Sequence, residues 1–155
     1  MQRSTLNAQR STLNGRLVST RRFENTDGFN LEDRLLRYAA NVVRLTDKIP
    51  NTRAGKHVGG QLLRSGTSIL PNHGEAQAAE SPNDFVHKMR ICLKELRETR
   101  RWIRLILEVP LLEDRRSADP LLDETEQLIK IFAASIRTVL KKQKPLQSPN
   151  LAVQS

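Results

Sequence analysis

The sequence has few of the residues that mark several common classes of protein. Its single cysteine, Cys92, cannot form an intramolecular disulfide, and this is typical of a reducing compartment. No run of about 18 apolar residues and no secretory h-region is present, so we expect neither a membrane-spanning helix nor export. These absences predict a cytoplasmic protein without a membrane partner.

The residues that build common enzyme sites are also scarce. Only three histidines occur, His57, His73 and His87, and they are separated by sixteen and fourteen residues. A di-iron site in a helical bundle needs a Glu-x-x-His pair on each of two helices, and only Asp84-x-x-His87 comes near this pattern. No Gly-rich phosphate loop and no Ser/His/Asp arrangement is recognisable, and Cys92 falls on an apolar helix face. We therefore expect no catalytic residue, no metal and no cofactor.

Positive charge is what the sequence has in excess, with 26 Lys and Arg residues against 17 Asp and Glu residues and a net charge of +9. This balance is typical of proteins with acidic partners, of which nucleic acid is the most common class. The length of 155 residues predicts one domain with its own core. Residues 1–29 repeat QRSTLN and contain few apolar residues, which predicts a disordered basic tail rather than an amphipathic transit peptide, and 143–155 predicts a second disordered tail.

Four amphipathic segments fill the region between the tails. Apolar residues recur in them at spacings of three and four, which predicts helices at about 31–49, 52–80, 82–109 and 120–142. Asn30, Ser81 and Asp119 are good N-caps, and Pro50 and Pro110 end two of the helices. The links are short, apart from a loop at 110–119 that we expect to be solvated. The predicted fold is an all-α, up-down-up-down antiparallel four-helix bundle over residues 30–142.

The apolar faces of the predicted helices indicate which residues form the core. The expected inward residues are Leu35, Tyr38, Val42, Leu45, Ile49, Val58, Leu62, Ser65, Ile69, Ala76, Phe85, Met89, Cys92, Leu96, Thr99, Ile103, Ile106, Leu121, Leu128, Phe132, Ile136 and Val139. Gly59, Gly60 and Gly66 each cost about 1 kcal/mol in a helix interior. Such small residues indicate close packing, either within the bundle or between subunits.

A polar row crosses the second predicted helix around a proline. Its members share one helix face and are Arg64, Ser68, Asn72 and Glu75. Pro71 lies inside this row, although a proline in a helix interior costs about 3 kcal/mol. Because the row lies beside the small-residue face, we interpret it as structural. It can supply hydrogen bonds across a helix–helix or subunit contact, including to the carbonyl near Thr67 that Pro71 leaves unpaired.

The third predicted helix carries a basic stripe that steps by four, three, four and three residues. The stripe spans roughly 80° of arc on the side away from the core. Its members are Arg90, Lys94, Arg97, Arg101 and Arg104. One interpretation is a face that follows phosphates, with steeply salt-dependent binding; the other is a solvated face partly balanced by Glu95 and Glu98. No aromatic residue is interleaved, so base stacking is not supported.

Trp102 lies about 100° from the core stripe of the same helix, near Ile91 and Leu105. In a single bundle these three side chains would be exposed. Aromatic residues of this kind are enriched at protein interfaces. We therefore predict a self-association face on the third helix.

The stretch QLLRSGTSILPNHGEA, followed by SPNDFVHKMRICLKELRETRRWIRLI, resembles the four-helix bundle family known as 23S rRNA intervening-sequence proteins over roughly residues 31–140. The matching positions are Arg64, Ser68, Asn72 and Glu75 in the second helix, Phe85, Lys94, Glu95, Glu98, Thr99 and Trp102 in the third, and the proline at Pro71. The resemblance implies a bacterial, all-α protein without catalytic residues that assembles as a homo-oligomer, with a pentamer suspected. Related bundles are accessory proteins of diversity-generating retroelements, which bind nucleic acid and a reverse transcriptase through a basic pentameric surface. The long tail at 1–29 departs from the compact family pattern.

Two functions are compatible with these patterns. The first is a non-enzymatic homo-oligomer that binds RNA or DNA through its basic surface. The alternative is a protein–protein adaptor or assembly factor, such as an accessory subunit of a reverse transcriptase, in which the charge only increases solubility.

Overall fold

The computed structural model describes residues 30–109 and 111–144, and these residues form four long helices. The helices are α1 (Leu31–Thr46), α2 (Arg53–Gln77), α3 (Pro82–Glu108) and α4 (Asp119–Gln143), with a 3₁₀ helix at Arg115–Ala118 directly before α4. Each helix packs against the one that follows it, and α4 closes the ring by a smaller contact with α1. The predicted all-α, up-down-up-down four-helix bundle is confirmed.

The two predicted tails fall mostly outside the described residues, which exclude 1–29 and 145–155. The predicted end of the third helix at Pro110 also lies outside them. Gln143, placed at the start of the C-terminal tail by the sequence, is instead the last residue of α4.

The helix starts follow the capping residues in the sequence. The Asn30 side chain accepts from the backbone N–H of Glu32 at 3.0 Å, and the Ser81 hydroxyl accepts from that of Asp84 at 3.1 Å. The prediction that Asp119 caps α4 is wrong. The cap position is Ala118 in a helical conformation, because the 3₁₀ helix runs directly into α4 and places Asp119 in its first turn.

The helix ends and connections differ from the prediction in three places, one of which is the end of α2 at Gln77 rather than at 80. Helix α1 ends at Thr46 rather than at 49. The backbone N–H groups of Lys48 and Ile49 donate to the carbonyl oxygens of Leu45 and Thr46, three residues back, at 3.1 Å each, and this tightens the last turn. The loop at 110–119 is not fully solvated, since it buries Leu112 and Ala118 against the core.

The core is built from the predicted apolar faces. Of the expected inward residues, only Ile49, Phe85 and Val139 are partly rather than fully buried, and the sequence missed Val86 and Leu93 on α3. The small residues of α2 serve a contact inside this bundle. A Cβ on Gly66 would lie 2.7 Å from the methyl groups of Val42 on α1, so a side chain cannot be added there without displacing α1.

The other two glycines of the predicted small-residue face, Gly59 and Gly60, do not lie as close to a neighbouring helix as Gly66 does. A Cβ on Gly59 would make an ordinary 3.5 Å contact with Thr46, whereas one on Gly60 would meet nothing within 4 Å.

None of the helices formed by residues 30–109 and 111–144 is long and apolar enough to cross a membrane.

Candidate nucleic-acid interface and the two flanks of α3

A groove of about 540 Å³ follows the seam between α3 and α4. Five cationic side chains surround it: Arg90, Lys94, Arg97 and Arg101 from α3, and Arg137 from α4. Its floor consists of Leu93, Ala133 and Ile136. The exposed fractions of Leu93 and Ile136 are only 8% and 7%, so these two side chains present little apolar surface. The groove therefore presents a cationic rim above a thin apolar strip.

Four of the five residues of the predicted basic stripe line this groove. The fifth, Arg104, is exposed one turn farther along α3 and does not line it. Residues 90, 94, 97 and 101 form a nearly straight row because their spacing keeps them on one side of the helix. The structure thus brings most of the stripe together with a second helix, rather than leaving it on an isolated helix face.

The rim cations have almost no compensating negative charge. Among the described residues, no carboxylate forms an ion pair with Arg90, Arg97, Arg101 or Arg137. Lys94 approaches an acid, with its Nζ 3.8 Å from Oε1 of Glu95, a contact in which the lysine remains 75% exposed. An external anion would consequently meet cations that the bundle has left largely unneutralised.

One arginine beside the groove is held within the bundle. Nη1 of Arg100 lies 3.3 Å from both carboxylate oxygens of Glu126 on α4. The Nε of Arg100 is buried and finds no hydrogen-bond partner in the part of the chain that the structure describes. Arg100 therefore belongs to the α3–α4 packing, in contrast to Arg97 and Arg101.

Sequence reasoning missed Arg137, the α4 member of the rim. A signal for it was present, because α4 has no acidic residue after Glu126. Lys130, Arg137 and Lys141 follow at spacings of seven and four, on one helix face. In an antiparallel pair this basic half of α4 must lie beside the first half of α3, where the stripe begins.

The opposite flank of α3, which faces α2, has its charges paired. Arg64 Nη2 donates a hydrogen bond to Oε1 of Glu98, and Arg64 Nη1 lies 3.7 Å from Oε2 of Glu95. Glu75, at the other end of the predicted polar row, accepts from Nζ of Lys88 at 3.1 Å. This contact raises the pKa of Lys88. The row thus joins α2 to α3 within one bundle.

Ser68 and Asn72, in the middle of the polar row, differ in the hydrogen bonds that they form. Ser68 Oγ lies 2.9 Å from the carbonyl of Ser65 and 3.3 Å from Oε2 of Glu95. Asn72 is half-buried and forms no side-chain hydrogen bond among the described residues. The suggested hydrogen bond to the carbonyl of Thr67 is not formed in the described structure, because the row points towards α3.

A buried polar pair explains why Thr99 lies on the apolar face of α3. Its Oγ1 is 3.0 Å from Oγ of Ser65 on α2 and 2.8 Å from the carbonyl oxygen of Glu95. Thr99 and Ser65 are both completely buried, and Glu95 is 94% buried beside them. The two hydroxyl groups satisfy each other and their own helices, as buried polar groups require.

Trp102 is half-buried, which corrects the expectation that a single bundle would leave it exposed. Its ring meets the His57 ring on α2 edge-on, with 6.1 Å between the centroids, and its Nε1 lies 3.4 Å from Oε1 of Glu98. Leu105, farther along the same face, does remain exposed by 39%, and Val109, directly after the last residue of α3, is exposed by 44%.

The remaining chemically interesting side chains are dispersed. Burial raises the pKa of the Cys92 thiol to about 11, so the thiol is protonated at neutral pH. His73 is buried against Phe132, with ring centroids 5.9 Å apart, while His57 and His87 are exposed. Within residues 30–109 and 111–144, no three His, Cys, Asp or Glu side chains come close enough to hold a metal ion.

Comparison with known proteins relates this bundle to others. The family described as 23S rRNA-intervening sequence protein matches residues 28–134. A crystal structure of a protein of unknown function from the S23 ribosomal protein family of Bacteroides thetaiotaomicron is similar, with a TM-score of 0.64 and 30% sequence identity. The similarity covers 70% of this chain and 99% of that one. No curated protein matches. The family match extends from the start of α1 to the middle of α4, and the chain therefore belongs to the 23S rRNA-intervening sequence protein family.

Proposed function

We propose that this protein is a non-enzymatic, homo-oligomeric bundle protein of the cytoplasm that binds RNA or DNA through the α3–α4 groove. The observation that carries the proposal is the ring of Arg90, Lys94, Arg97, Arg101 and Arg137 around one groove, whose described lining includes no acidic side chain. Polyanions bind such surfaces by displacing condensed counterions, and each neutralised phosphate adds to the salt dependence. The net charge of +9 favours the same class of partner.

The shape of the groove favours a phosphate backbone over an acidic amphipathic helix of a protein. A helix in a groove is held by apolar anchors at its i, i+3, i+4 and i+7 positions, and these need deep apolar pockets. Leu93 and Ile136 are already 92% and 93% buried within the bundle, so little apolar surface is left for such anchors. The five cationic side chains are the polar groups that the described lining offers to a partner.

Charge reversal at the centre of the row tests the proposal. Arg97→Glu/Arg101→Glu should weaken binding of a fluorescein-labelled 20-nucleotide strand by at least about tenfold at low salt and should flatten the salt slope. Arg53→Glu/Lys56→Glu is a matched control, since both residues are exposed on α2, away from the groove, and the change in net charge is identical. Fluorescence anisotropy measures both variants. If the parent does not bind at low salt, or if the two double variants behave alike, the proposal fails.

We propose that self-association uses the end of α3. Leu105 is exposed on the same helix face as the half-buried Trp102, and the exposed Val109 directly follows the last residue of α3. A pentamer is the assembly that the resemblance favours. The native mass of Leu105→Glu tests this interface, and Leu63→Glu is the control because Leu63 is exposed by a nearly equal 38% on α2. A monomeric parent protein, or dissociation by Leu63→Glu alone, contradicts this interface.

The same exposed apolar residues favour a second function, that of an adaptor for another protein such as a reverse transcriptase. In that case Leu105→Glu should abolish capture of the partner, while the groove variant Arg97→Glu/Arg101→Glu should retain it. A pull-down that returns a defined protein and no nucleic acid, from nuclease-free lysate, would favour the adaptor over the nucleic-acid-binding protein.

A further inference from the structure

The hairpin formed by α3 and α4 carries opposite charge at its two ends. Residues 104–126, which run from the end of α3 into the first half of α4, contain seven acidic and three basic residues. Residues 127–144, which complete α4 and its C-cap, contain five basic residues and no acidic residue. A polyanion that lies along the seam is therefore repelled at one end and attracted at the other.

Two contacts between the helices show which part of α3 lies beside each half of α4. Nη1 of Arg100 lies 3.3 Å from the carboxylate oxygens of Glu126, and Nε2 of Gln143 donates to Oδ1 of Asn83 at 2.9 Å. Both pairs have the same register, because Asn83 is seventeen residues before Arg100 and Gln143 is seventeen residues after Glu126. The first half of α3 thus lies beside the basic half of α4.

The groove lies towards the basic end of this hairpin. Its lining from α4 consists only of Ala133, Ile136 and Arg137, which the register places beside the first half of α3. Arg104 belongs to the basic stripe by its spacing, but it does not line the groove. The register places Arg104 beside the acidic turn of α4 that contains Asp123. A phosphate near Arg104 would therefore also meet negative charge.

Beyond the groove, the basic face of α4 continues to the end of the helix. Lys141 and Lys144 follow Arg137 at spacings of four and three, which keeps all three on one side of the helix. Lys141 and Lys144 are exposed, and no carboxylate among the described residues forms an ion pair with either. Seven residues correspond to about 10 Å of helix, so free cations extend about 10 Å past the groove.

The acid at the start of α3 acts on the other flank. The hydrogen bond that Lys88 donates to Glu75 raises the pKa of Lys88, and the charge of Asp84 adds to this shift. Asp84 therefore belongs with the paired charges between α2 and α3. Lysines at the end of a helix also stabilise it through the helix dipole, so a test must measure folding and binding separately.

We infer that bound nucleic acid leaves the α3–α4 groove at the end where α3 begins and α4 ends, and that Lys141 and Lys144 bind its phosphates there, whereas Arg104 at the other end does not. This inference rests on the proposed function, because it extends the same site. It assigns to the interface two residues outside the groove and removes one that the spacing on α3 had placed in it.

Two double variants of equal charge test the inference on the full chain. Lys141→Glu/Lys144→Glu changes the basic end, and Arg104→Glu/Arg116→Glu changes exposed residues at the acidic end. Each lowers the net charge of +9 by four. Fluorescence anisotropy measures binding of fluorescein-labelled dT20 at about 100 mM salt, where charges more than about 10 Å apart are largely screened. Circular dichroism and urea unfolding show whether each variant folds.

We expect Lys141→Glu/Lys144→Glu to weaken binding of dT20 by at least about tenfold and Arg104→Glu/Arg116→Glu by less than about threefold. The neutral change Lys141→Gln should lower the salt slope by about 0.7, the value for one phosphate contact with a single strand. Arg104→Gln should leave the slope unchanged. Any loss of helix stability in the lysine variants should not account for the loss of binding, because the folded fraction is measured on the same samples.

The possible failures of the two proposals can be distinguished. If the parent does not bind dT20, or if Arg97→Glu/Arg101→Glu does not weaken binding, the proposed function itself is wrong. If the groove variant weakens binding but Lys141→Glu/Lys144→Glu does not, the groove stands and its extension is overturned. Equal losses in Lys141→Glu/Lys144→Glu and Arg104→Glu/Arg116→Glu also overturn the extension, because they would show that only the net charge matters at the two ends.

Discussion

The two flanks of α3 carry similar residues in opposite arrangements. On the α2 side, Arg64 meets Glu95 and Glu98, and Lys88 meets Glu75. On the α4 side, Arg90, Arg97, Arg101 and Arg137 meet no acid among the described residues, although Arg100 beside them pairs with Glu126. The difference shows that charge on a helix face does not indicate its role. The facing helix decides whether a charge holds the bundle together or remains available to an outside ligand.

Removing the cation from the paired flank should have the largest effect on stability. Arg64→Ala removes one of the two cations near the buried Glu95 and the ion-pair partner of the half-buried Glu98, so we expect the free energy of unfolding to fall by about 2 kcal/mol. Affinity for a labelled strand should not change. Urea unfolding and anisotropy measure the two properties, and Arg53→Ala, an exposed arginine on the same helix, should change stability by less than about 0.5 kcal/mol. Lost binding at unchanged stability would make the row a ligand site.

A fall in pH should lower the stability of the bundle without changing the charge of the groove. Burial lowers the pKa of His73, while the carboxylate of Glu32 partly opposes this shift. As the pH falls, His73 is therefore protonated in the unfolded chain before it is protonated in the folded one. Below pH about 6.5, the free energy of unfolding should fall by at most about 1.4 kcal/mol per pH unit. The arginines of the groove stay charged throughout.

Urea unfolding of the parent and of His73→Leu between pH 7.5 and 5.5 measures this loss, and the substitution should remove the part that is due to His73. Strand binding should persist over the same range for as long as the bundle remains folded. An identical pH dependence in both proteins would show that His73 does not contribute.

The hydroxyl pair beneath the α2 flank should show a smaller, cooperative effect. Ser65→Ala and Thr99→Val should each destabilise the bundle by about 1 kcal/mol, because each leaves the other hydroxyl with one buried contact fewer. In a double-mutant cycle the two changes should couple by about 0.5 kcal/mol or more. Strictly additive changes would mean that the 3.0 Å contact between the two hydroxyls contributes nothing.

The smallest effect is expected on the groove flank and has the opposite sign. Arg97→Gln removes one of two like charges at i and i+4, so the bundle should become more stable by about 0.3 kcal/mol at low salt, and added salt should abolish the gain. The same change should weaken strand binding. If Arg97→Gln destabilises the bundle as much as Arg64→Ala does, the two flanks do not differ as proposed.

Most of the fold could be predicted because helix formation and capping are local. The spacing of Leu35, Tyr38 and Val42, and the caps Asn30 and Ser81, are visible in adjacent turns of sequence. Two of the errors occurred where another element intervened. The 3₁₀ helix displaced Asp119 from its predicted cap, and α2 covered a tryptophan that a helical wheel leaves outside.

The candidate site was only half predictable for the same reason. The four α3 cations share a helix face and could be found by their spacing, but Arg137 is 36 residues farther along the chain than Arg101. Its place on the rim depends on the register between α3 and α4. The partners of Arg64 likewise depend on the register between α2 and α3, which no spacing within one helix reveals.

By itself, the sequence determined four amphipathic helices, their order and most of the buried residues, because periodicity and capping act within a few turns. Only the tertiary structure decided which charges of α3 are paired and which are free. Coulomb interactions fall off with distance and with solvent screening, so the role of an arginine depends on whether a carboxylate from another helix comes within reach. Side-chain packing between the helices sets that approach.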